Sequence, residues 1–215
     1  MYGLLFPYWW LIIPAIVLGF LAQSMVKNAF RTYSKIGTQS NMTGAEAARA
    51  ILDRNGLDNV PIRRVRGNLT DHYNPRNKTL NLSEGVYGSA SVAAVGIAAH
   101  EAGHAIQHAR SYAPLAVRNT VYPAASFGSK AGPVIVIAGF IFGIGEPLIT
   151  IGIVLFGAAV VFSILTLPIE LNASSRAVRI IGSRGFLRPK ELQGAKRVLN
   201  AAAMKDRGEP CLKEA

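Results

Sequence analysis

A long apolar region over residues 131–167 sets the strongest limit on how this chain folds. The sequence GIGEP at residues 143–147 interrupts it near its middle. A single helix of that length, at about 1.5 Å rise per residue, would be far longer than the roughly 30 Å hydrocarbon core of a bilayer. We therefore predict a transmembrane helical hairpin over residues 126–167, with Lys130 reaching the membrane interface. A buried helical hairpin in a soluble protein is the alternative.

A second apolar stretch, residues 8–26, is also long enough to cross a bilayer. Lys and Arg do not occur before it, whereas a signal peptide would begin with a positively charged region. Lys27 and Arg31 follow it, so the positive-inside rule predicts an uncleaved anchor whose N-terminus lies outside. Basic residues also flank the predicted hairpin, among them Arg118 before it and Arg176 after it. The segments between the spans are therefore expected on the cytoplasmic side.

The composition agrees with a membrane protein. It argues against a nucleic-acid binder and against a protein held together by disulfides or by a thiolate zinc cluster. Only 16% of residues are charged, against about 25% in typical soluble proteins. The formal net charge of +11 would suit a nucleic-acid binder, but the basic residues flank apolar segments and no nucleic-acid motif accompanies them. We therefore expect no nucleic-acid partner. The single cysteine, Cys211, excludes an internal disulfide and a thiolate zinc cluster.

Residues 100–104 read HEAGH, an H-E-x-x-H pattern, in a stretch that favours a helix capped by Ser89 or Ser91. Residues four apart lie on the same face of a helix, so His100 and His104 can bind one metal ion. Glu101 lies about 100° around the helix, within reach of a water on that metal. The pattern predicts a zinc hydrolase with Glu101 as general base.

Catalytic zinc normally keeps three protein ligands and one position for water, so a third ligand is needed. His108 lies about 12 Å along the helix axis from His100, which is too far. Downstream carboxylates are the better candidates. We favour Glu170, which follows the predicted hairpin on the same side of the membrane as the H-E-x-x-H helix. Glu191 is a weaker candidate, and Glu170 could instead only complement a helix dipole.

The part before the H-E-x-x-H motif is predicted to be a small α+β unit. A capping box predicts a helix over residues 45–54. Two short strands are expected at 60–65 and 78–83, and their sheet either holds an extended peptide at its edge or only covers the helix. The turn-rich stretch between the strands contains His72 and Tyr73, the two candidates for stabilising an oxyanion.

Four segments together resemble the neutral zinc metallopeptidases of the YugP type, which are bacterial membrane proteins. The segments are DHYNPR at 71–76, KTLNLS at 78–83, HEAGHAIQH at 100–108 and PIELNAS at 168–174. The resemblance implies that His100, His104 and Glu170 bind zinc and that Glu101 is catalytic. Ser174 stands where related membrane peptidases carry an acid that orients a ligand histidine. Family members usually continue into a further apolar helix after Ala203, whereas this sequence becomes polar.

The predicted fold is a mainly α membrane protein with a small zincin-like α+β part. Its segments are a transmembrane helix at 8–26, the zincin-like cytoplasmic part at 27–125, the transmembrane hairpin at 126–167, helices at 168–203 with the third ligand, and a polar tail at 204–215.

We predict a zinc endopeptidase in the bacterial inner membrane, multi-pass, with its active site on the cytoplasmic side. Its expected cofactor is Zn²⁺, and its expected partners are a peptide or protein substrate and the lipid bilayer. The alternative is a membrane scaffold with a structural or vestigial zinc site. A closed structural site would need a fourth ligand, and His72 and His108 are the remaining histidines.

Overall fold

The computed structural model describes residues 9–142, 146–183 and 185–205. These residues form seven helices and one three-stranded sheet, so the chain is mainly helical with a small sheet. The elements are α1 Trp9–Tyr33, α2 Gly44–Asp53, β1 Ile62–Val65, β2 His72–Asn74, β3 Thr79–Ser83, α3 Glu84–Tyr87, α4 Val92–Ala109, α5 Ala113–Ile141, α6 Glu146–Ser183 and α7 Pro189–Lys205. Most of the predicted turn at 143–147, and the tail from residue 206, lie outside the described residues.

Helix α2 begins as its sequence predicts. The Thr43 hydroxyl accepts from the Glu46 backbone N–H at 3.2 Å, and the Glu46 carboxylate accepts from the Thr43 N–H at 2.8 Å. Gly56, at φ +71°, follows the end of the helix in a left-handed conformation that glycine adopts without strain. The buried face of α2, including Ile51 and Leu52, packs on α4. The capping box is therefore confirmed, and the helix that it starts covers one side of α4.

The sheet has the order β1-β3-β2, with β1 parallel and β2 antiparallel to β3. β1 and β3 lie within the two predicted strands. β2 was not predicted, because its sequence lies in a stretch rich in turn formers. It is a strand through its partners: Tyr73 pairs with Leu80, and Asn74 pairs with Thr79. β2 is an edge strand, and it packs against α4.

Helix α4, which carries the H-E-x-x-H motif, is the centre of the fold. Ser91 caps it by accepting from the Ala94 N–H at 3.2 Å, and the helix is buried from residue 92 to residue 107. It packs on α2, the sheet, α6 and α7. A Cβ at Gly103 would lie 3.0 Å from the Ala173 carbonyl oxygen. The missing side chain at this position therefore lets α6 approach the motif closely.

Helices α5 and α6 pack along each other in antiparallel directions. Gly128 approaches Leu155, and Gly139, eleven residues later in α5, approaches Ile149, six residues earlier in α6. Many large apolar side chains on both helices are exposed: Val117, Val121, Phe127, Val134, Ile137, Ile141, Ile151, Val154, Val161, Ile164, Leu165 and Leu171. Burial inside the protein therefore does not account for the apolar composition of this helix pair.

In the described part of the chain, one helix, Pro147–Ser183, is long and apolar enough to cross a membrane. It passes through Pro168 without a break, so one helix joins the end of the predicted hairpin to the predicted third ligand. At about 1.5 Å per residue, its 37 residues extend roughly 55 Å, beyond the thickness of a bilayer core. Its C-terminal part is the part that packs against α4.

Candidate metal centre

Three buried side chains from two helices meet at one point. The Nε2 atoms of His100 and His104 on α4 lie 3.1 Å apart. The Oε2 atom of Glu170 on α6 lies 3.2 Å from each of them. The three side chains are almost completely buried, with Glu170 only 1% exposed. They form the one group in the described residues that is arranged to hold a metal ion.

The triangle fits a zinc ion by its size and its chemistry. Zinc binds histidine nitrogen and carboxylate oxygen at about 2.0–2.2 Å, so two ligands of one tetrahedral ion lie roughly 3.3 Å apart. The observed separations of 3.1–3.2 Å match this value. Two imidazoles and one carboxylate are also a ligand set of catalytic zinc sites, which keep a further position for water.

Gln107, fully buried, fixes the orientation of His104. Its amide nitrogen donates to the Ile169 carbonyl at 3.1 Å and to Asn172 Oδ1 at 3.0 Å. Its amide oxygen therefore faces His104 Nδ1, at 3.0 Å. An amide oxygen can only accept, so Nδ1 carries the proton and Nε2 keeps its lone pair for a metal. Gln107 was not predicted from the sequence. It lies three residues after His104, about one helical turn, and this spacing could have indicated a contact between the two side chains.

His100 is held by a different partner. Its Nδ1 lies 3.2 Å from the Ser174 hydroxyl, at the position where the resemblance expected an acid. Burial lowers the pKa of His100, but the hydrogen bond to Glu170 and the negative charges of Glu101 and Glu170 outweigh burial, so the pKa is raised. At their Nδ1 atoms, the two ligand histidines thus have neutral partners, a serine and a glutamine.

Glu101 lies beside the triangle, and β2 holds its carboxylate. Its Oε2 accepts a hydrogen bond of 3.0 Å from the backbone N–H of Tyr73. The side chain is only 8% exposed, so this bond is shielded from water. The main chain of the unpredicted edge strand therefore contacts the candidate general base directly.

Tyr73 also links β2 to the last turn of α4. Its hydroxyl lies 2.9 Å from His108 Nδ1. Burial raises the pKa of Tyr73 to about 12, so its phenol stays neutral at physiological pH. His108 contacts this phenol and lies outside the metal group, as the helix geometry predicted. His72 lies outside it too: its Nδ1 is 2.9 Å from the Thr70 carbonyl and its Nε2 is 3.1 Å from the Asn81 amide.

A cavity adjoins the metal centre, and His104 lies in its wall. The other walls come from β2, from the loop after it and from the first turns of α5. The lining residues are Tyr73, Pro75, Arg76, His104, Leu115, Arg118, Asn119 and Tyr122. A ligand in this cavity would therefore contact both His104 of the metal centre and the N-terminal part of α5.

A third helix, α5, also reaches the metal centre, because its Arg118 contacts Glu170. Arg118 Nη1 lies 2.6 Å from Glu170 Oε1, and the Arg118 side chain is 6% exposed. Burying an unpaired charge costs free energy of folding, so the removal of either Arg118 or Glu170 would leave the other as a destabilising buried charge. The sequence indicated Arg118 only as part of the charge pattern beside the predicted hairpin.

Replacing Gln107 by leucine is expected to weaken zinc binding about 10–100-fold, the usual effect of losing a hydrogen bond to a ligand histidine. Leucine has a similar volume but cannot accept from His104 Nδ1, so both ring tautomers become accessible. Zinc affinity is measured by competition with a chromophoric chelator. The matched control is Gln39→Leu at an exposed position, and equal affinities of the two variants would contradict the assignment.

Comparison with known proteins gives one family and one close relative. Residues 8–205 match the family described as "Putative neutral zinc metallopeptidase". The chain is 49% identical over 194 residues to "Putative membrane protease YugP" of Bacillus subtilis (strain 168). That match covers 90% of this chain and 86% of the relative. No solved structure matches the chain.

Proposed function

We propose that this chain, which belongs to the neutral zinc metallopeptidase family, is a membrane-anchored endopeptidase that uses zinc to hydrolyse peptide bonds. The observation that carries the proposal is the buried triangle of His100, His104 and Glu170 with the carboxylate of Glu101 beside it. Its ligand atoms have the spacing that one zinc ion needs, and the partner of His104 leaves the Nε2 lone pair of that histidine directed at it.

In the proposed reaction His100, His104 and Glu170 hold the metal. Zinc bound there would polarise the scissile carbonyl and acidify a water molecule. Glu101 takes a proton from that water as the oxygen attacks the carbonyl carbon, and then delivers the proton to the leaving amine as the C–N bond breaks. The Tyr73 N–H keeps the Glu101 carboxylate in one orientation for both transfers.

Of the two candidates for stabilising the oxyanion, Tyr73 is the better supported. It lines the cavity beside His104, and burial keeps its phenol protonated. Its hydroxyl lies 2.9 Å from His108 Nδ1, so the phenol proton can serve the oxyanion when His108 donates to the phenol oxygen. His72 has partners at both ring nitrogens and is not among the residues that line this cavity. We therefore assign this role to Tyr73.

The proposal includes multi-pass anchoring in the bacterial inner membrane, with the site on the cytoplasmic side. The spans would be residues 8–26 and the hairpin at 126–167. Three observations support this arrangement: the apolar helix Pro147–Ser183, the exposed apolar side chains of α5 and α6, and the basic residues that flank these segments. The relative from Bacillus subtilis is named a membrane protease.

A scaffold with a structural zinc is less well supported. Such a site would be closed by a fourth protein ligand. In the described residues, the two remaining histidines have other partners: His72 contacts Thr70 and Asn81, and His108 contacts Tyr73.

Metal removal tests the function directly. The full chain, purified in detergent, is expected to cleave members of a quenched fluorescent peptide library. Dialysis against a chelator should reduce cleavage to background, and one equivalent of zinc should restore it, because the metal would polarise the scissile carbonyl and acidify the attacking water. Cleavage that persists in the metal-free protein would contradict the proposal, and so would a zinc-loaded protein that cleaves nothing in the library.

A further inference from the structure

The two carboxylate oxygens of Glu170 have different partners. Oε2 lies 3.2 Å from the Nε2 atoms of both His100 and His104. Oε1 lies 2.6 Å from Nη1 of Arg118, which is on another helix. Glu170 is 1% exposed and Arg118 is 6% exposed, so water does not compete appreciably for either group. The carboxylate is thus divided between the metal centre and a buried cation.

This division matters because a carboxylate can bind a metal through one oxygen or through both. Binding through both oxygens fills an additional coordination position. A hydrolytic zinc site needs a position for water, so a ligand that binds through one oxygen is favoured. The Arg118 guanidinium, 2.6 Å from Oε1, pairs electrostatically with that oxygen and therefore competes with a metal for it.

We propose that Arg118 is a positioning residue that reserves Oε1 of Glu170, so that Oε2 alone is directed at the metal and a place remains for water. The inference rests on the proposed function and adds a requirement to it. The requirement is that α5 must be docked against α6 for the metal centre to have its hydrolytic form, because Arg118 comes from α5 and Glu170 from α6.

Arg118 also lines the cavity beside His104, so a direct contact with the substrate is the competing role. The two roles differ in what they change. A positioning residue changes the metal site itself, even without substrate. A residue that only binds substrate changes KM and leaves the metal site as it was.

The test is the visible spectrum of the Co²⁺-substituted protein, because four-coordinate Co²⁺ absorbs more strongly than five- or six-coordinate Co²⁺. Wild type is expected to show the intense four-coordinate bands. Arg118→Met should show weaker bands, about 10–100-fold weaker metal binding, and a fall in kcat that exceeds any change in KM. Arg118→Lys keeps a cation that can bond Oε1, and it should recover part of the band intensity even if Arg118→Met proves too unstable to purify.

The matched control is Arg110→Met, which removes an exposed arginine at the end of α4 and should leave the wild-type spectrum. Wild-type spectra and affinities in both Arg118 variants would overturn the inference, and so would weak bands in wild type or a rise in KM alone. In each of these cases peptide cleavage by wild type would leave the proposed function standing. A wild-type protein that binds neither Co²⁺ nor Zn²⁺ removes both.

Discussion

Replacing Glu101 by glutamine is expected to lower kcat by about 10²–10⁴-fold, the contribution of a general acid–base group, and to leave the bound metal in place. Glutamine has the shape of glutamate, and its amide oxygen can still accept from the Tyr73 N–H. It cannot take a proton from water. Glu101 lies outside the triangle of ligand atoms, so metal affinity should not change.

The measurement is kcat for a cleaved peptide together with zinc content per protein. Glu84→Gln is the matched control: it makes the same substitution at an exposed carboxylate that pairs with Arg64 at 3.3 Å. It should keep wild-type cleavage. Strong residual cleavage by the Glu101 variant would remove Glu101 as the base. Loss of zinc from that variant would instead place Glu101 among the ligands.

The parts of the site that follow from local geometry could be predicted from the sequence. His100 and His104 face one point because a helix repeats every 3.6 residues, and this relation does not depend on the rest of the fold. The start of α2 was predictable for the same reason, since a capping box is complete within four residues. His108 could be excluded as a ligand by its distance along the helix.

The parts that depend on contacts between distant segments could not be predicted. β2 is a strand because β3 pairs with it, although the stretch around it is rich in turn formers. Its most important group is the Tyr73 N–H, and almost every residue has a backbone N–H, so the sequence marks none as special. Arg118 contacts Glu170 only because α5 and α6 pack together. In the sequence, nothing distinguishes Arg118 from any other basic residue beside a predicted membrane segment.

Glu170 could be proposed from the sequence, but its contact with the two histidines depends on the packing of α6 against α4. Its replacement is expected to have a large effect on zinc binding. Glu170→Gln is expected to weaken zinc binding by more than about 100-fold, the upper end of the effect of losing a partner of a ligand, because here the ligand itself is lost. Peptide cleavage should fall with the zinc content. Glutamine is preferable to alanine for this test, because it keeps the side-chain volume and a polar oxygen beside Arg118. It still removes the negative charge of a buried ion pair, which often costs about 3–5 kcal/mol of stability, so the melting temperature is measured together with the zinc content.

Glu191→Gln is the control, because Glu191 was the other acidic candidate. Its carboxylate accepts from the backbone N–H groups of Gln39 and Arg188, at 2.9 and 2.7 Å, so the substitution should keep zinc and cleavage. Zinc content and melting temperature are measured for both variants beside wild type. Unchanged zinc in the Glu170 variant would remove Glu170 from the site and leave two histidines, too few protein ligands for a catalytic zinc. Zinc loss in the Glu191 variant alone would show that the third ligand lies on α7, against the geometry of the buried triangle.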